Sequence, residues 1–476
     1  MARTEKINAC ELRMGTARLD GSFYCSDGER TRRLLETYGL HTDTLEKITA
    51  SITNEGRGRR IYVKDRSSGV QFLSSSHILL AEFDAAPYVS RRTPNLSQMI
   101  LQEGWTLVSC SGTVGNVAFA HADFEGKAAS QHVMRVAPNE RIRSGYLFAW
   151  LSSKAGVALL KRGTYGSVIP TIEPPTVLDI PVARFADSIE ETIHQRIKLA
   201  AVKRVKANQK LREARDQVYQ ETSLPRIEAP VGRNLAGLRT YTVSQSSLGT
   251  RFEGRYHDLV VRNMERAISN NSHCGSLPLF RCASTMFLPS RGKWADVSVG
   301  GLPLVGSGEM FSARPIASRH VSTTLSPGAR ELVVHQNDIL VARSGQIYSI
   351  LGDAILVGRS LAGKAVTEHA IRIRPDPFIL HPGFLYAFLS LPDYGYGQIV
   401  RTAYGTSIPS LSVDEMKGIV VPLPEEGPRN AIGEEVLQAI DLRDQANDLE
   451  DEAQELLERA LDEATGGAWS KLALQN

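Results

Sequence analysis

No stretch of this chain approaches the roughly 20 consecutive apolar residues that a membrane-spanning helix needs, and the opening MARTEKINACELRMG lacks an apolar core of signal-peptide type. The expectation is a cytoplasmic protein with no membrane partner. Cysteine is scarce. Cys10, Cys25, Cys110, Cys274 and Cys282 are scattered, odd in number and never in a CxxC pair, so neither a zinc site nor a disulfide framework is expected. An excess of one charge sign is also missing: 55 Lys and Arg against 52 Asp and Glu leave +3, so any nucleic-acid binding must come from local patches. Catalytic signatures are absent as well. There is no Walker loop and no Asp- or Asn-Pro-Pro-aromatic tetrad, for Glu173-Pro-Pro-Thr176 lacks the required ends. Leu304-Val-Gly-Ser-Gly-Glu309 superficially resembles a glycine-rich cofactor loop, but it runs into Met310-Phe-Ser-Ala-Arg-Pro315 and reads better as a turn. No catalytic residue, bound cofactor or metal is therefore assigned.

What the chain does have is a copy of itself. At 476 residues it is too long for one ordinary core, and its halves match in order. Arg18-Leu-Asp-Gly-Ser-Phe-Tyr24 answers Arg251-Phe-Glu-Gly-Arg-Tyr-His257, and Gly69-Val-Gln-Phe-Leu73 answers Gly301-Leu-Pro-Leu-Val305. Thr106-Leu-Val-Ser-Cys-Ser-Gly112 answers Ile339-Leu-Val-Ala-Arg-Ser-Gly345, and Gly126-Lys-Ala-Ala-Ser-Gln-His132 answers Gly363-Lys-Ala-Val-Thr-Glu-His369. Gly145-Tyr-Leu-Phe-Ala-Trp-Leu-Ser152 answers Gly383-Phe-Leu-Tyr-Ala-Phe-Leu-Ser390, and Tyr165-Gly-Ser-Val-Ile-Pro170 answers Tyr404-Gly-Thr-Ser-Ile-Pro409. Ile180-Pro181 and Val421-Pro422 close the two copies.

Each copy reads as mixed α/β. Trp105 to Ser109, Val117 to Ala120 and His132 to Val136 have the pattern of short strands, and Tyr146 to Leu160 that of one helix with a counterpart from Phe384. A long helix follows each copy. Ile193, Ile197, Ala200, Ala207, Leu211, Ala214 and Val218 keep the three-and-four rhythm of a coiled-coil seam, interrupted at Arg204. Ile432, Val436, Ala439, Ala446, Ala453, Leu457, Ala460 and Ala464 repeat it, interrupted at Arg443 and Glu450. The first helix is basic (Arg196, Lys198, Lys203, Arg204, Lys206, Lys210) and the second acidic (Glu434, Glu435, Asp441, Asp444, Glu452, Glu455), which favours pairing with each other. The expected architecture is α/β: two tandem-duplicated recognition domains, 1–185 and 223–425, each followed by a helix, 186–222 and 426–476, the helices forming an antiparallel coiled coil.

This order of unit, helix, unit, helix resembles the specificity subunits of type I restriction–modification systems. The resemblance is carried by Ser111-Gly112 and Ser344-Gly345, by Gly166 to Pro170 and Gly405 to Pro409, and by the apolar-Pro stops before each helix. The Pro-x-x-Glu-Gln helix entry common in that family is replaced here by Val182-Ala-Arg-Phe-Ala186 and Pro424-Glu-Glu-Gly-Pro428. The resemblance implies a non-catalytic subunit that reads a bipartite site in double-stranded DNA. It implies docking to DNA adenine methyltransferase subunits, which supply S-adenosylmethionine, with a restriction or translocase subunit as a further candidate partner. Two other classes remain open: a duplicated protein-interaction scaffold, and a methyltransferase or nuclease whose motif is unrecognised.

If two copies read different half-sites, residues identical between them are mainly architectural, and those that differ inside matched segments are readout candidates. Identical are Ser111/Ser344, Gly112/Gly345, Tyr165/Tyr404, Ile169/Ile408 and Pro170/Pro409. Gln131 faces Glu368, suited to adenine and to cytosine N4 respectively. Thr113 faces Gln346, Cys110 faces Arg343 and Ser167 faces Thr406. Lys127 and Lys364 each follow a glycine five residues before a histidine (His132, His369), a pattern that fits a phosphate contact or equally a surface turn with a packed histidine. Arg57, Arg59, Arg60, Lys64, Arg91 and Arg92 in the first copy, and Arg291, Lys293 and Arg314 in the second, are unmatched cations suited to phosphates or to plain solvation.

Overall fold

The computed structural model describes residues 21–54, 58–165, 169–227, 240, 242–249, 251–317, 319–347 and 349–472. Arg18 to Asp20, Arg57, Gly166 and Ser167 thus lie outside the described residues. The chain forms two compact units, residues 1–205 with 445–476, and residues 206–444. No described helix is long and apolar enough to cross a membrane.

In the first unit, a four-stranded antiparallel sheet runs in the order Thr49–Thr53, Val133–Pro138, Thr106–Ser109, Val117–Phe119. A second sheet orders Tyr62–Val63, Tyr88–Ser90, Gly69–Leu73 and Ala128–Ala129, its last pairing parallel. A two-stranded ribbon pairs Thr42–Thr44 with Pro181–Ala183. The Tyr146 to Leu160 pattern is two helices, Ser144–Ser152 and Lys154–Arg162, rather than one. Ser153 leaves the helical conformation and its side chain caps the Gly156 N–H at 3.1 Å, which ends one helix and starts the next.

The second unit repeats this plan with one strand fewer: an isolated bridge, Asp296 to Val321, stands where Tyr62–Val63 pairs in the first. Ala283–Phe287, Ala370–Pro375, Ile339–Ala342 and Ala354–Leu356 form its four-stranded sheet. Arg319–Val321, Leu302–Val305 and Ala365–Val366 form the smaller one, again with a parallel last pairing. Gly275–Pro278 and Val420–Leu423 form the ribbon. Even the irregularity in the first edge strand recurs, between Thr49 and Ser51 and between Ala283 and Thr285. Leu302–Val305 leads into a short 3-10 turn, Glu309–Phe311, so the glycines between them are a turn with no helix to bind a cofactor phosphate.

The long helices span Asp187–Thr222 and Glu426–Ala464. They run antiparallel within each unit. In the first unit Arg196 meets Glu452 at 2.9 Å and Lys203 meets Gln445 at 2.6 Å. In the second, Lys210 and Gln217 both reach Glu435, at 3.4 and 2.9 Å. The seam residues are buried as the heptad spacing predicts, except Ala464, which is exposed while Leu461 and Thr465 are buried. At that end the buried stripe follows the helical period of 3.6 and not 3.5, and Leu461 joins Trp469 in the first unit's core.

The seam's charged interruptions are satisfied reciprocally. In the first unit buried Arg204 donates to Asn447 and Glu450, both at 2.9 Å. In the second unit Arg443, its counterpart in the duplication, donates to Asn208 at 2.8 Å. Burying such groups adds little net stability, yet mispairing would strand a charge, so they specify register.

Glycine seats each domain on its own stretch of helix. A Cβ on Gly145 would lie 2.7 Å from the His194 carbonyl oxygen, and one on Gly383 would lie 2.2 Å from that of Gly433. Both approaches are to backbone, which cannot turn aside. The shared Gly of the Gly-x-Leu-aromatic segments is therefore a packing requirement. Gly383→Val is expected to cost the second unit about 3 kcal/mol or more, read as a lowered urea midpoint. Gly427→Ala, with nothing near its Cβ, should change stability by no more than about 1 kcal/mol. Equal midpoints for the two variants would contradict the seat.

Candidate nucleic-acid interface

In each unit the central strand of the larger sheet ends in a Ser-Gly turn, and the strand beside it is entered through the Gln131-His132 or Glu368-His369 pair. Backbone hydrogen bonds join the two: Cys110 N–H donates to the His132 carbonyl at 3.0 Å, and Arg343 N–H to that of His369 at 2.8 Å. Gly112, at φ 77°, donates to the Pro170 carbonyl at 2.9 Å, and Gly345, at φ 144°, to that of Pro409 at 3.2 Å. The left-handed conformation explains the glycine in both copies.

This arrangement brings together, in the second unit, Arg343, Gln346, Glu368, His369 and the loop bearing Thr406. Arg343 donates to the Tyr404 hydroxyl at 3.0 Å, and the Gln346 amide to the Ser407 carbonyl at 3.3 Å. Thr406 and Gln346 are exposed. Glu368 accepts from the Trp294 indole at 3.4 Å, which ties the exposed Arg291 and Lys293 loop to the same end of the domain. In the first unit the corresponding set is Cys110, Thr113, Gln131 and His132. Thr113 is exposed and shares a hydrogen bond with Ser109 at 3.0 Å. The Gln131 amide nitrogen lies 3.1 Å from His132 Nε2, while its buried Oε1 has no hydrogen-bond partner. Tyr165 is held by a hydrogen bond to Glu173, which, ahead of burial, pushes its phenol up to about 12.

The lysines stand apart from this end. Lys127 and Lys364 precede the short parallel strand that Gln131 and Glu368 follow. Both sit in tight turns behind a left-handed glycine, Gly126 at φ 73° and Gly363 at φ 79°. Each half-buried ammonium folds back onto its own domain: Lys127 donates to the Asp123 carbonyl and lies 5.4 Å from the Phe83 ring centre, and Lys364 donates to the Pro315 carbonyl at 3.4 Å. Arg91 and Arg92 are exposed, directly after strand Tyr88–Ser90. With exposed Arg59, Lys64 and Arg66 they surround the outer strands of the smaller sheet, where Asp65 is the one acid of the 59–66 stretch.

Two functional features escaped the sequence reading. Arg135 and Arg372 occupy the same place in matched strands and are buried, at 1% and 0% exposure. Arg372 donates to the carbonyls of Thr367 at 3.1 Å, Leu332 at 3.3 Å, and Ala370 and Val366. It thereby clamps the segment that presents Glu368. Burial draws its pKa down to about 10 against the opposing pull of Asp338 and Glu368. The available signal was an arginine repeated at one position of two apolar strands, Val-Met-Arg-Val and Ala-Ile-Arg-Ile. Second, the shared Tyr165/Tyr404 and Ile169/Ile408 are not interior scaffold: the tyrosines are 41% exposed and the isoleucines 59% and 70%.

No known protein family and no curated protein matches the sequence. Solved structures that align over most of their length include the following three. One is a type I restriction–modification S subunit from M. genitalium, at 14% identity, TM-score 0.32, covering 92% of this chain and 96% of that one. Another, described for complex assembly and conformational transition of the type I R-M system, has 12% identity, TM-score 0.28 and coverages of 90% and 97%. The HsdS subunit from Thermoanaerobacter tengcongensis has 12% identity, TM-score 0.26 and coverages of 90% and 97%.

One buried group near this region titrates in an accessible range. His121 lies 4.7 Å from the Phe124 ring and 4.0 Å from the Asp123 carboxylate. Burial, only partly offset by Asp123, lowers its pKa to about 4. The unfolded chain binds this proton below about pH 6.5 and the folded one only near pH 4. Stability is therefore full above pH 6.5 and falls by roughly 3 kcal/mol between there and pH 4. Denaturation midpoints at several pH values should show this component in the parent chain and not in His121→Leu. A parent–variant difference that is constant with pH would contradict it.

Proposed function

We propose that this chain is a DNA sequence-recognition subunit, non-catalytic in itself, with one recognition domain per half of a bipartite site. Within that class it fits the specificity subunit of a type I restriction–modification complex. The observation that carries the reading is one scaffold built twice, equal down to its strand irregularity and glycine turns, with different side chains at equivalent exposed ends. A scaffold that repeats while its tips diverge suits two related tasks on two different sequences. The helix pair serves as spacer and as the dock for adenine methyltransferase subunits, which bring S-adenosylmethionine and the chemistry; a restriction or translocase subunit is a further partner.

Gln131 and Glu368 are the leading base readers. Gln131 carries an amide, donor and acceptor at once, which suits the paired donor and acceptor of an adenine edge. Glu368, oriented by Trp294 and the Arg372 clamp, accepts from cytosine N4 through its remaining lone pairs. His132, His369, Thr113, Gln346, Thr406 and Arg343 frame these positions. Arg91, Arg92, Arg291 and Lys293 supply phosphate contacts, while Lys127 and Lys364, folded back onto their own domains, fit the packed-turn reading better.

Gln131→Ala is expected to remove discrimination at one base pair of the first half-site and Glu368→Ala at one of the second, each by about 1–3 kcal/mol. Paired Arg91→Ala and Arg92→Ala should weaken all sequences alike and flatten the salt dependence by about one unit per contact. Competition binding with single-base target variants at several salt concentrations separates the two behaviours, and uniform weakening by the Gln131 and Glu368 variants would remove them as readers. Assembly has its own check. Leu211→Lys with Leu457→Lys should abolish copurification with the methyltransferase, and an intact complex would exclude the helix pair as the dock.

A further inference from the structure

We infer that an exposed isoleucine beside the Ser-Gly turn of each unit, Ile169 or Ile408, presses against the sugar–base surface of duplex DNA, as one apolar contact common to both half-sites. This rests on the DNA-recognition reading above. An isolated exposed isoleucine is ordinary. Here, though, the surrounding framework is built to hold it outward, and is built so twice. In the second unit Tyr404 and Ser410 exchange both backbone hydrogen bonds at 2.9 Å, the Ser344 and Ser410 hydroxyls meet at 3.0 Å, and Gly345 N–H ties the Pro409 carbonyl. Ile408 is left 70% exposed on that knuckle. In the first unit Tyr165 and Thr171 exchange the same bonds at 3.0 and 2.9 Å, Gly112 ties Pro170, and Ile169 is 59% exposed.

The neighbours say what kind of surface the knuckle meets. Each stands beside the Ser-Gly turn whose flanking residues differ between copies, Cys110 and Thr113 against Arg343 and Gln346. A contact kept the same amid differing readers addresses something both half-sites share, which is groove wall and not sequence. In the second unit the knuckle also has a cation beside it, for Arg343 bonds to the Tyr404 hydroxyl at 3.0 Å. A positive charge next to a fixed apolar tip suits a polyanion with apolar groove walls, and apolar side chains entering such grooves are an established mode of DNA binding.

The test uses the full chain and a mixed-sequence duplex of about 40 base pairs, titrated between about 50 and 200 mM salt. Ile169→Ala and Ile408→Ala are each expected to lower affinity about fivefold to twentyfold with the salt slope unchanged, because an apolar contact releases no counterions. Arg343→Ala should instead reduce the slope by about one unit. Unaltered thermal melting of the isoleucine variants shows that folding is intact, as their exposure requires. If the parent chain binds no duplex even at low salt, the DNA reading fails and takes this inference with it. If the parent binds and the double isoleucine variant binds equally well, the isoleucine contact alone is overturned. Loss of methyltransferase association with DNA affinity preserved would also overturn it, by assigning the knuckles to a protein surface.

Discussion

Arg204 reaching Asn447 and Arg443 reaching Asn208 are one contact made twice, once in each unit, by residues that the duplication relates. Sliding either helix by a turn would leave a guanidinium in an apolar seam without its acceptor, a mispairing costly enough to exclude other registers. The seat of each domain is measured from this lock: His194 lies ten residues before Arg204, and Gly433 ten before Arg443. In each unit the glycine of the domain thus touches down at the same distance along its own helix from the lock.

The duplication also separates what the scaffold needs from what it displays. Arg162 with Glu29 and Arg401 with Glu265 join matched helices at 2.8 and 2.6 Å. Arg135 and Arg372 occupy matched interiors, and the ribbons that lead into the long helices are matched too. Against this constancy, the change from Gln131 to Glu368 replaces an amide, donor and acceptor at once, by an acceptor alone. Cys110 to Arg343 exchanges a buried thiol for a charged fork. The first of these differences alters hydrogen-bonding logic just ahead of a strand, and the second replaces a core member with a side chain that reaches Tyr404.

Much of this was legible because burial imposes periodicity. The seam positions from Ile193 to Val218 follow from heptad spacing, and the duplicated glycines point to turns that the structure contains. Three things were not legible. Strands of two residues, such as Tyr62–Val63 and Ala128–Ala129, are too short to show alternation, so the second sheet had no signal. The helix break at Ser153 depends on a side-chain cap that competes with an unbroken apolar pattern. Buried Arg135 and Arg372 run against the usual exposure of arginine, and Ile169 and Ile408 against the usual burial of isoleucine. Identity between copies was read as architecture, yet it also falls on side chains that both copies leave exposed.

The first unit is discontinuous. Its core takes Ala453, Leu457, Leu461 and Trp469 from the far end of the chain, packed against Tyr146, Leu147 and Trp150. The second unit, residues 206–444, is one uninterrupted stretch. During synthesis the domain made first must therefore wait, with one wall of its interior open, until the stretch carrying Ala453 to Trp469 has been read, while the domain made second already has every residue it needs. The usual vectorial order, in which the leading domain folds as it emerges, is reversed in this chain. A ribosome that stops short of residue 450 releases a chain whose trailing half can close and whose leading half cannot.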